Sequence, residues 1–331
     1  MAALQLGTAL KLVIKTGPIL LVRLGMYLLF WLVTLIYLGI VIGLAALLGS
    51  ITPLLGWVVA IAGLIGYGPI YQLAYKYVFF LIKAAHIAVI SELLVHGQLP
   101  AGVSQLAWGK QQVRQRFGDV TAMFVVDELV SGIVRAFTRT VYNLASWLPG
   151  DTMRQLAAVA NRVVRYATSY IDEAIMARSF WRRDESTWAS AEEGVVLYGQ
   201  VWKPLLKNAI ALMLLSYIPF IVALVVFAAP VGGLMGLIFG SKAAAWSVLA
   251  SLVLAFLIKV AVGDGFAMTA MIAAYQRETA NLQPDPAMSA QLSQVSAKFV
   301  ELKQRALAAM PSAQPSYVPQ AAAPVAPAQP R

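Results

Sequence analysis

Apolar residues run from Leu24 to Tyr75 with no Asp, Glu, Lys or Arg among them, a stretch of 52 residues between Arg23 and Lys76. It is broken once, at Gly49-Ser50-Ile51-Thr52-Pro53, which is a turn signal. A helix needs about 20 apolar residues to cross the hydrocarbon core, so each half is long enough for one span and the whole reads as a helical hairpin through the bilayer. The first span is expected from about Leu24 to Leu48. The second should start near Leu54, reach the far interface around Tyr75-Lys76 and continue as a helix to about Val95. Tyr67, Tyr71, Tyr75 and Tyr77 mark that interface, where amphipathic rings settle. A second charge-free run covers residues 208–241 and predicts a third span, a turn at Gly240-Ser241 and a fourth span from about Ala243 to Ala261.

Landmarks recur in the same order in the two runs. Gly39 and Gly43 stand against Gly232 and Gly236, Gly49-Ser50 against Gly240-Ser241, and Gly66-Tyr67-Gly68 against Gly263-Asp264-Gly265. They describe two hairpins of similar design, a loose parallel repeat. The first run is far longer than the apolar core of a cleavable leader and passes straight into a second span, so it acts as a signal anchor at most.

Between the hairpins, residues 97–203 change period and polarity. Val126, Leu129, Val130, Ile133, Val134, Phe137, Val141 and Leu144 fall on one helical stripe, with Asp127, Glu128, Arg135 and Arg139 opposite. Pro149-Gly150-Asp151-Thr152 should end that helix and cap another, whose stripe is Leu156, Val159, Val163, Ala167, Ile171 and Ile175. A third helix is expected near Ser186 or Ser190, where Ser190 and Glu193 have capping-box spacing. After the second hairpin come a short helix over about Met288 to Ala309 and a Pro, Ala and Gln tail, Pro311 to Arg331, too poor in bulky apolar residues to bury a core. The expected organisation is therefore all-α: an N-terminal membrane hairpin with a helical extension (1–96), amphipathic helices (97–203), a C-terminal hairpin (204–280), then a helix and tail (281–331).

Composition agrees with that division. Hydrophobic residues make up 60% of the chain and charged ones 12%, against roughly 25% charged in soluble domains. The net charge of +10 raises nucleic acid as a partner, but the central block nets only +2, from 12 basic and 10 acidic residues, and the rest sits by the apolar runs or in the tail. A bilayer with anionic headgroups is the expected partner, and nucleic acid is not. Both hairpin turns carry only Lys242, whereas the N-terminus, the central block and the region after Arg277 hold nearly all other basic residues. Lys and Arg stay on the cytoplasmic side of short loops, so those three regions are expected in the cytoplasm and the chain in a cell (inner) membrane.

Few residues point to chemistry. Lys259 and Asp264 are ionisable groups at the end of a span, where such groups are expensive. Two readings stand: Lys259 snorkels and Asp264 stays wet, orienting the helix, or Gly263 and Gly265 open a polar break that, with Tyr67 of the other hairpin, lines a solute site. Pro219 and Pro230 interrupt the third span and free backbone carbonyls. The pairs Gly39/Gly43 and Gly232/Gly236 let helices approach closely, within the bundle or between copies in a homo-oligomer. Trp181, Arg182, Arg183, Trp188, Trp202, Lys203 and Lys207 suit a headgroup layer, or equally a solvated helix pair laced with ion pairs. His86 and His96 are the only histidines and cysteine is absent, so no metal set is expected. Nor is there a Walker loop, a Gly-x-Ser-x-Gly elbow or a His-Glu-x-x-His site, which argues against an enzyme and for no cofactor.

The order of amphipathic helices, Tyr170-Ile171-Asp172-Glu173-Ala174-Ile175-Met176-Ala177, a membrane hairpin, and Gly265-Phe266 leading into a polar helix resembles the C-terminal half of choline-transporter-like proteins over about residues 120–280. Trp202-Lys203 to Lys207-Asn208 ahead of a glycine-rich hairpin is similar to many uncharacterised bacterial multi-pass proteins. The resemblance implies the helical membrane architecture and carries no site residue across. Two functions are expected of such a chain: a transporter-like component moving or accommodating a small solute or lipid, or a membrane scaffold or assembly protein that binds cytoplasmic partners through residues 97–203 or the tail. A polar path joining Lys259, Asp264 and Tyr67 separates them, because a scaffold needs none.

Overall fold

The computed structural model describes residues 6–118, 120–141, 151–240 and 243–309, and all its regular elements are helical. A short α1 (Leu6–Lys15) precedes α2 (Gly17–Gly49), which turns back at residues 50–52 onto α3 (Pro53–Ala74). A π-turn at Tyr75–Phe79 joins α3 to α4 (Phe80–His96), followed by α5 (Gln105–Phe117), α6 (Val120–Val141), α7 (Asp151–Trp181) and α8 (Thr187–Gln200). The second hairpin comprises α9 (Trp202–Leu215), α10 (Ile218–Phe239) and α11 (Ala243–Ile258), and a second π-turn, Lys259–Gly263, leads into α12 (Asp264–Thr279). Helices α13 (Pro286–Val295) and α14 (Ala297–Ala308) complete the described chain. Four stretches, Gly17–Gly49, Pro53–His96, Trp202–Ile238 and Ala243–Thr279, are long and apolar enough to cross a membrane. The chain is an all-α, multi-pass membrane protein.

Exposure divides the molecule in two. Leu32, Ile36 and Leu47 of α2, Leu54 and Leu64 of α3, Val225 and Leu237 of α10 and Val248 and Phe256 of α11 are all exposed, an apolar surface that only lipid covers without penalty. Beyond the π-turns the same two chain directions become the core of a body: Phe80, Ala84, Ile87 and Ile90 on α4, and Ala267, Met271, Ile272 and Tyr275 on α12, are buried. One inserted residue rotates a helix by about 100°, so each π-turn lets a lipid-facing register and a body-facing register coexist on one continuous helix. Helix α7 runs beside both. Glu173 meets Lys83 and Ala177 meets Ser91 on α4, while Tyr170 meets Asp264 and Trp181 meets Tyr275 on α12.

Several local expectations are corrected. The third span is interrupted as expected near Pro219, but not at Pro230, which lies within α10. It breaks at Ser216-Tyr217, with α9 burying Leu205, Ala209 and Leu212 in the body, and Pro219 sits in the first turn of α10, where its missing N–H costs nothing. The cap of α8 is Ser186, whose Oγ accepts from the Ala189 N–H at 3.1 Å, whereas Ser190 is buried and receives Arg178. The predicted helix from Met288 splits into α13 and α14 at an extended Ser296. In α6, Val126, Leu129, Val130, Ile133, Val134 and Phe137 are buried as their spacing predicts. Asp127, placed on the opposite face by that spacing, is instead half-buried near Lys83. The cap at Pro149-Gly150, Leu144, the tail, and the side chains of Val141, Leu156 and Val159 lie outside what is described.

Glycines bring helices together, though not those with the four-residue spacing. A Cβ on Gly56 would stand 2.8 Å from the Ala45 carbonyl oxygen and 2.9 Å from the Gly49 Cα, so these two glycines close the first hairpin at its tip. Gly39, Gly43, Gly232 and Gly236 have, among the described residues beyond their own helix backbone, nothing within 4 Å of such a Cβ. Nor do Gly66-Tyr67-Gly68 and Gly263-Asp264-Gly265 correspond: the first lies within α3 ahead of its π-turn, and the second straddles the end of the other.

Candidate functional site at the span bases

Lys259 opens the second π-turn and Asp264 follows it. Five residues apart, the two would diverge on a regular α-helix, but the π-turn brings them onto one side. Lys259 Nζ lies 2.7 Å from Asp264 Oδ1, and the lysine side chain is only 1% exposed. Tyr170 donates to the same oxygen at 2.7 Å, Tyr166 reaches Oδ2 at 3.5 Å, and Lys259 also donates to the Tyr166 hydroxyl. The ammonium is 4.7 Å from the ring centroids of both Tyr166 and Tyr217, a cation held by two π faces. The snorkelling reading therefore fails for Lys259: its charge is neutralised inside the protein. Burial, with Asp264 adding to it, raises the Tyr166 and Tyr170 phenols above their ordinary range, so both stay protonated as donors to the carboxylate.

The glycines that flank Asp264 pack tightly. A Cβ on Gly263 would fall 2.1 Å from the Ser216 carbonyl oxygen, at the break between α9 and α10. Gly265 gives room to Leu20 of α2, and its Cβ position lies 3.7 Å from Arg23 Nη1 and 3.8 Å from His86 Cε1. Arg23 and His86 are thus brought from α2 and α4 to the base of the other hairpin. Both are buried; the Arg23 guanidinium lies 5.9 Å from the Tyr27 ring centroid, and among the described residues Arg23 Nε and Nη1 and His86 Nδ1 and Nε2 have no hydrogen-bond partner.

Within the electrostatic reach of Arg23 lies Glu173, one of a group of carboxylates. Lys83 Nζ pairs with Glu173 Oε1 at 3.2 Å, and Asp127 and Asp172 lie within the electrostatic reach of that lysine. Burial raises Glu173 even though Lys83 and Arg23 pull it down. Asp172 is held well above the ordinary carboxylate range by burial and then by repulsion from Asp127 and Glu173, and Asp127 is raised by burial. A proton is therefore retained among these acids at a pH where exposed carboxylates have lost theirs. Charged side chains from α2, α4, α6, α7, the second π-turn and α12 meet at the span bases. Among the described residues, no three imidazoles or carboxylates converge as a metal set.

The structure brings together Lys259, Asp264, Gly263 and Gly265 from the sequence candidates and leaves Tyr67 apart. Tyr67 bonds Thr34 at 3.0 Å and packs in tilted ring contact with Tyr37 and Tyr71 inside its own hairpin, about 12 Å along the helix from the first π-turn. Trp181 packs on Tyr275, Arg182 pairs with Asp184, Arg183 with Glu92, and Trp188 stacks under Arg305. Trp202 packs on Phe137 with Lys203 over its ring, and Lys207 is exposed on α9. Sequence reasoning missed Arg23, Lys83, His86, Tyr166, Tyr170 and Glu173. Arg23 and Lys83 flank apolar runs and read there as interface charges; only tertiary packing turns them inward. No family model, no curated protein and no solved structure matches the chain, so the site is read from its own geometry.

Proposed function

We propose that the chain is a non-enzymatic, transporter-like component of a cell (inner) membrane, accommodating or moving a small solute at the bases of its spans, with its body and both termini in the cytoplasm. The observation that carries this reading is the buried pair Arg23 and His86 beside Gly265, whose Nε, Nη1 and two imidazole nitrogens lack a hydrogen bond among the described residues although Arg23 rests over Tyr27 and lies within the electrostatic reach of Glu173 and Asp264. Buried guanidinium and imidazole nitrogens left without hydrogen bonds cost about 1–3 kcal/mol each, and a helical body that only needs to hold together is as stable or more so with apolar residues there. A solute with acceptor oxygens supplies the partner that the Arg23 N–H groups lack, and His86 can donate to it or accept from it. A scaffold reading gains from Tyr67 lying apart from Lys259 and Asp264, and from the Lys259–Asp264 pair, which is already satisfied by tyrosines; it gains nothing from Arg23.

The test uses the full chain in proteoliposomes on a solid-supported membrane, with rapid jumps of phosphate, sulfate, acetate and potassium. At least one jump should give a current that Arg23→Gln abolishes and Asp264→Asn reduces, with both variants inserted and melting cooperatively. No wild-type current, together with full complementation of a deletion strain by both variants, would hand the protein to the scaffold reading. Orientation is tested separately. A cysteine at Ser50 or Ala244 should react with an impermeant thiol reagent on intact cells and one at Ala308 should not; labelling at Ala308 would invert the topology.

A further inference from the structure

Outside the span bases, a cleft of about 350 Å³ opens between α6 and α7. Its polar lining is Arg135, Thr138 and Arg139 from α6 and Asn161, Arg165 and Thr168 from α7, with no carboxylate among the lining side chains. The spacing explains the convergence, since residues three and four apart share one helical face. Three guanidinium groups are thereby crowded around one hollow, an arrangement that repels itself until something negative enters.

The rest of the protein supplies the control. Arg178, Arg182, Arg183, Arg277 and Arg305 each hold a carboxylate. Among the described residues, the cleft arginines do not. Arg135 spends its Nε on the Ser131 carbonyl of its own helix at 3.1 Å, and the carboxylate that acts on it from a distance, Asp127, is two helical turns back, about 12 Å along the axis. Arg139 and Arg165 are exposed and make no ion pair among the described residues. Thr138 and Thr168 line the cleft as buried neutral residues, their hydroxyls engaged by Tyr198 at 3.0 Å and by the Arg165 carbonyl at 2.8 Å, so the charge on the lining is that of the arginines.

We propose that this cleft binds a phosphate-bearing anion, gripped by Arg135, Arg139 and Arg165. Guanidinium forks match phosphate oxygens two at a time, and the volume is at the small end of ligand pockets, roughly 300–1,000 Å³, which suits a phosphate with a modest substituent. The phosphate belongs either to a free small molecule or to a lipid headgroup. Arg165 precedes Tyr166, which touches Lys259 at the end of the fourth span, so a headgroup is within the geography of the site. The proposal is independent of any solute at Arg23.

Inorganic pyrophosphate is the probe for the free form, titrated into the full chain in neutral detergent and read by calorimetry. Phosphatidylglycerol against phosphatidylcholine in mixed micelles, read by native mass spectrometry as bound lipids per protein, is the probe for the headgroup. Wild type should bind at least one of them. Arg139→Gln/Arg165→Gln should weaken that binding at least about tenfold while leaving the melting temperature without ligand unchanged or higher. Arg165→Lys, which keeps the charge and loses the fork, should fall between, and Arg182→Gln/Arg183→Gln should bind as wild type. Pyrophosphate binding without a phosphatidylglycerol preference assigns the free form, and the reverse assigns the headgroup. Wild-type protein that takes up neither probe, or a double variant that binds like wild type, would overturn the proposal.

Discussion

The two hairpins share a plan and differ at their bases. In each, an apolar pair crosses the membrane, and its second helix passes through a five-residue π-turn into the body. At the first base the turn is aromatic: Lys76 lies over the rings of Tyr77 and Phe124, and α2 runs through unbroken. At the second the turn holds a buried ion pair and two glycines, and the incoming helix breaks at Ser216-Tyr217. The same mechanical problem, changing a helix from a lipid register to a protein register, is solved once with rings and once with charge and close backbone contact. The second solution is the more fragile, because a buried charge and a backbone contact have no slack.

The largest difference between the bases is expected from their lysines. Lys259→Met leaves the Asp264 carboxylate with tyrosine donors alone, a broken buried pair worth roughly 3–5 kcal/mol, read as a drop in the melting temperature of detergent-purified protein. Adding Asp264→Asn should recover most of that loss. Lys76→Met at the first base removes a cation–π contact and should cost no more than about 1 kcal/mol. Equal losses at both lysines would erase the contrast.

Gly263→Ala is next. The new methyl group meets the Ser216 carbonyl, a backbone atom that cannot rotate away, and the cost should be about 3 kcal/mol, the upper part of the overpacking range. Gly265→Ala meets the mobile end of Leu20 and should cost less, and Gly68→Ala in the first hairpin meets nothing. If Gly263→Ala and Gly68→Ala melt alike, the break and the π-turn are not in the close contact described.

Much of this fold is legible in the sequence, because membrane spans and amphipathic stripes are one-dimensional patterns. The turn at residues 50–52, the continuation of α3 toward Val95 and the buried stripe of α6 follow from run length and period alone. The span bases do not. Arg23 has the same sequence context as any charge that flanks a span, and its burial depends on α4 and α12, more than 50 residues away. The π-turns leave no periodic signature either, since one extra residue within an apolar run changes nothing in its hydrophobicity. Lys259 and Asp264 were visible as candidates because a charge in an apolar run stands out, but their partners Tyr166 and Tyr170 sit in a helix whose pattern is ordinary.

The carboxylates beside the first base give a smaller effect with a definite sign. Burial and its acidic neighbours hold the folded Asp172 carboxyl above the unfolded value near 3.8. The folded state therefore binds that proton more tightly, and its contribution to stability is complete below the unfolded value and is lost as pH rises through the folded one. Asp172→Asn, which keeps an oxygen for the Glu173 N–H, should match wild type near pH 4 and exceed it at pH 8 by roughly 1 kcal/mol. A wild-type melting temperature that rises from pH 5 to pH 8, with the Asn variant following it, would remove Asp172 from the buried group.

The smallest effect is expected where the hairpins are alike, away from their bases. Gly39 in α2 and Gly232 in α10 lie mid-helix with open space where a side chain would stand. An alanine there lowers the entropy that a glycine loses on folding without meeting any atom of this chain, so Gly39→Ala and Gly232→Ala should each stabilise by about 0.5–1 kcal/mol. The two should agree, since neither position touches the charged bases that set the hairpins apart. A loss of stability at either position, with a fall in mass by light scattering in detergent, would mean that this glycine face is covered by a second copy of the chain, and the two hairpins would then differ at the membrane surface as well as at their bases.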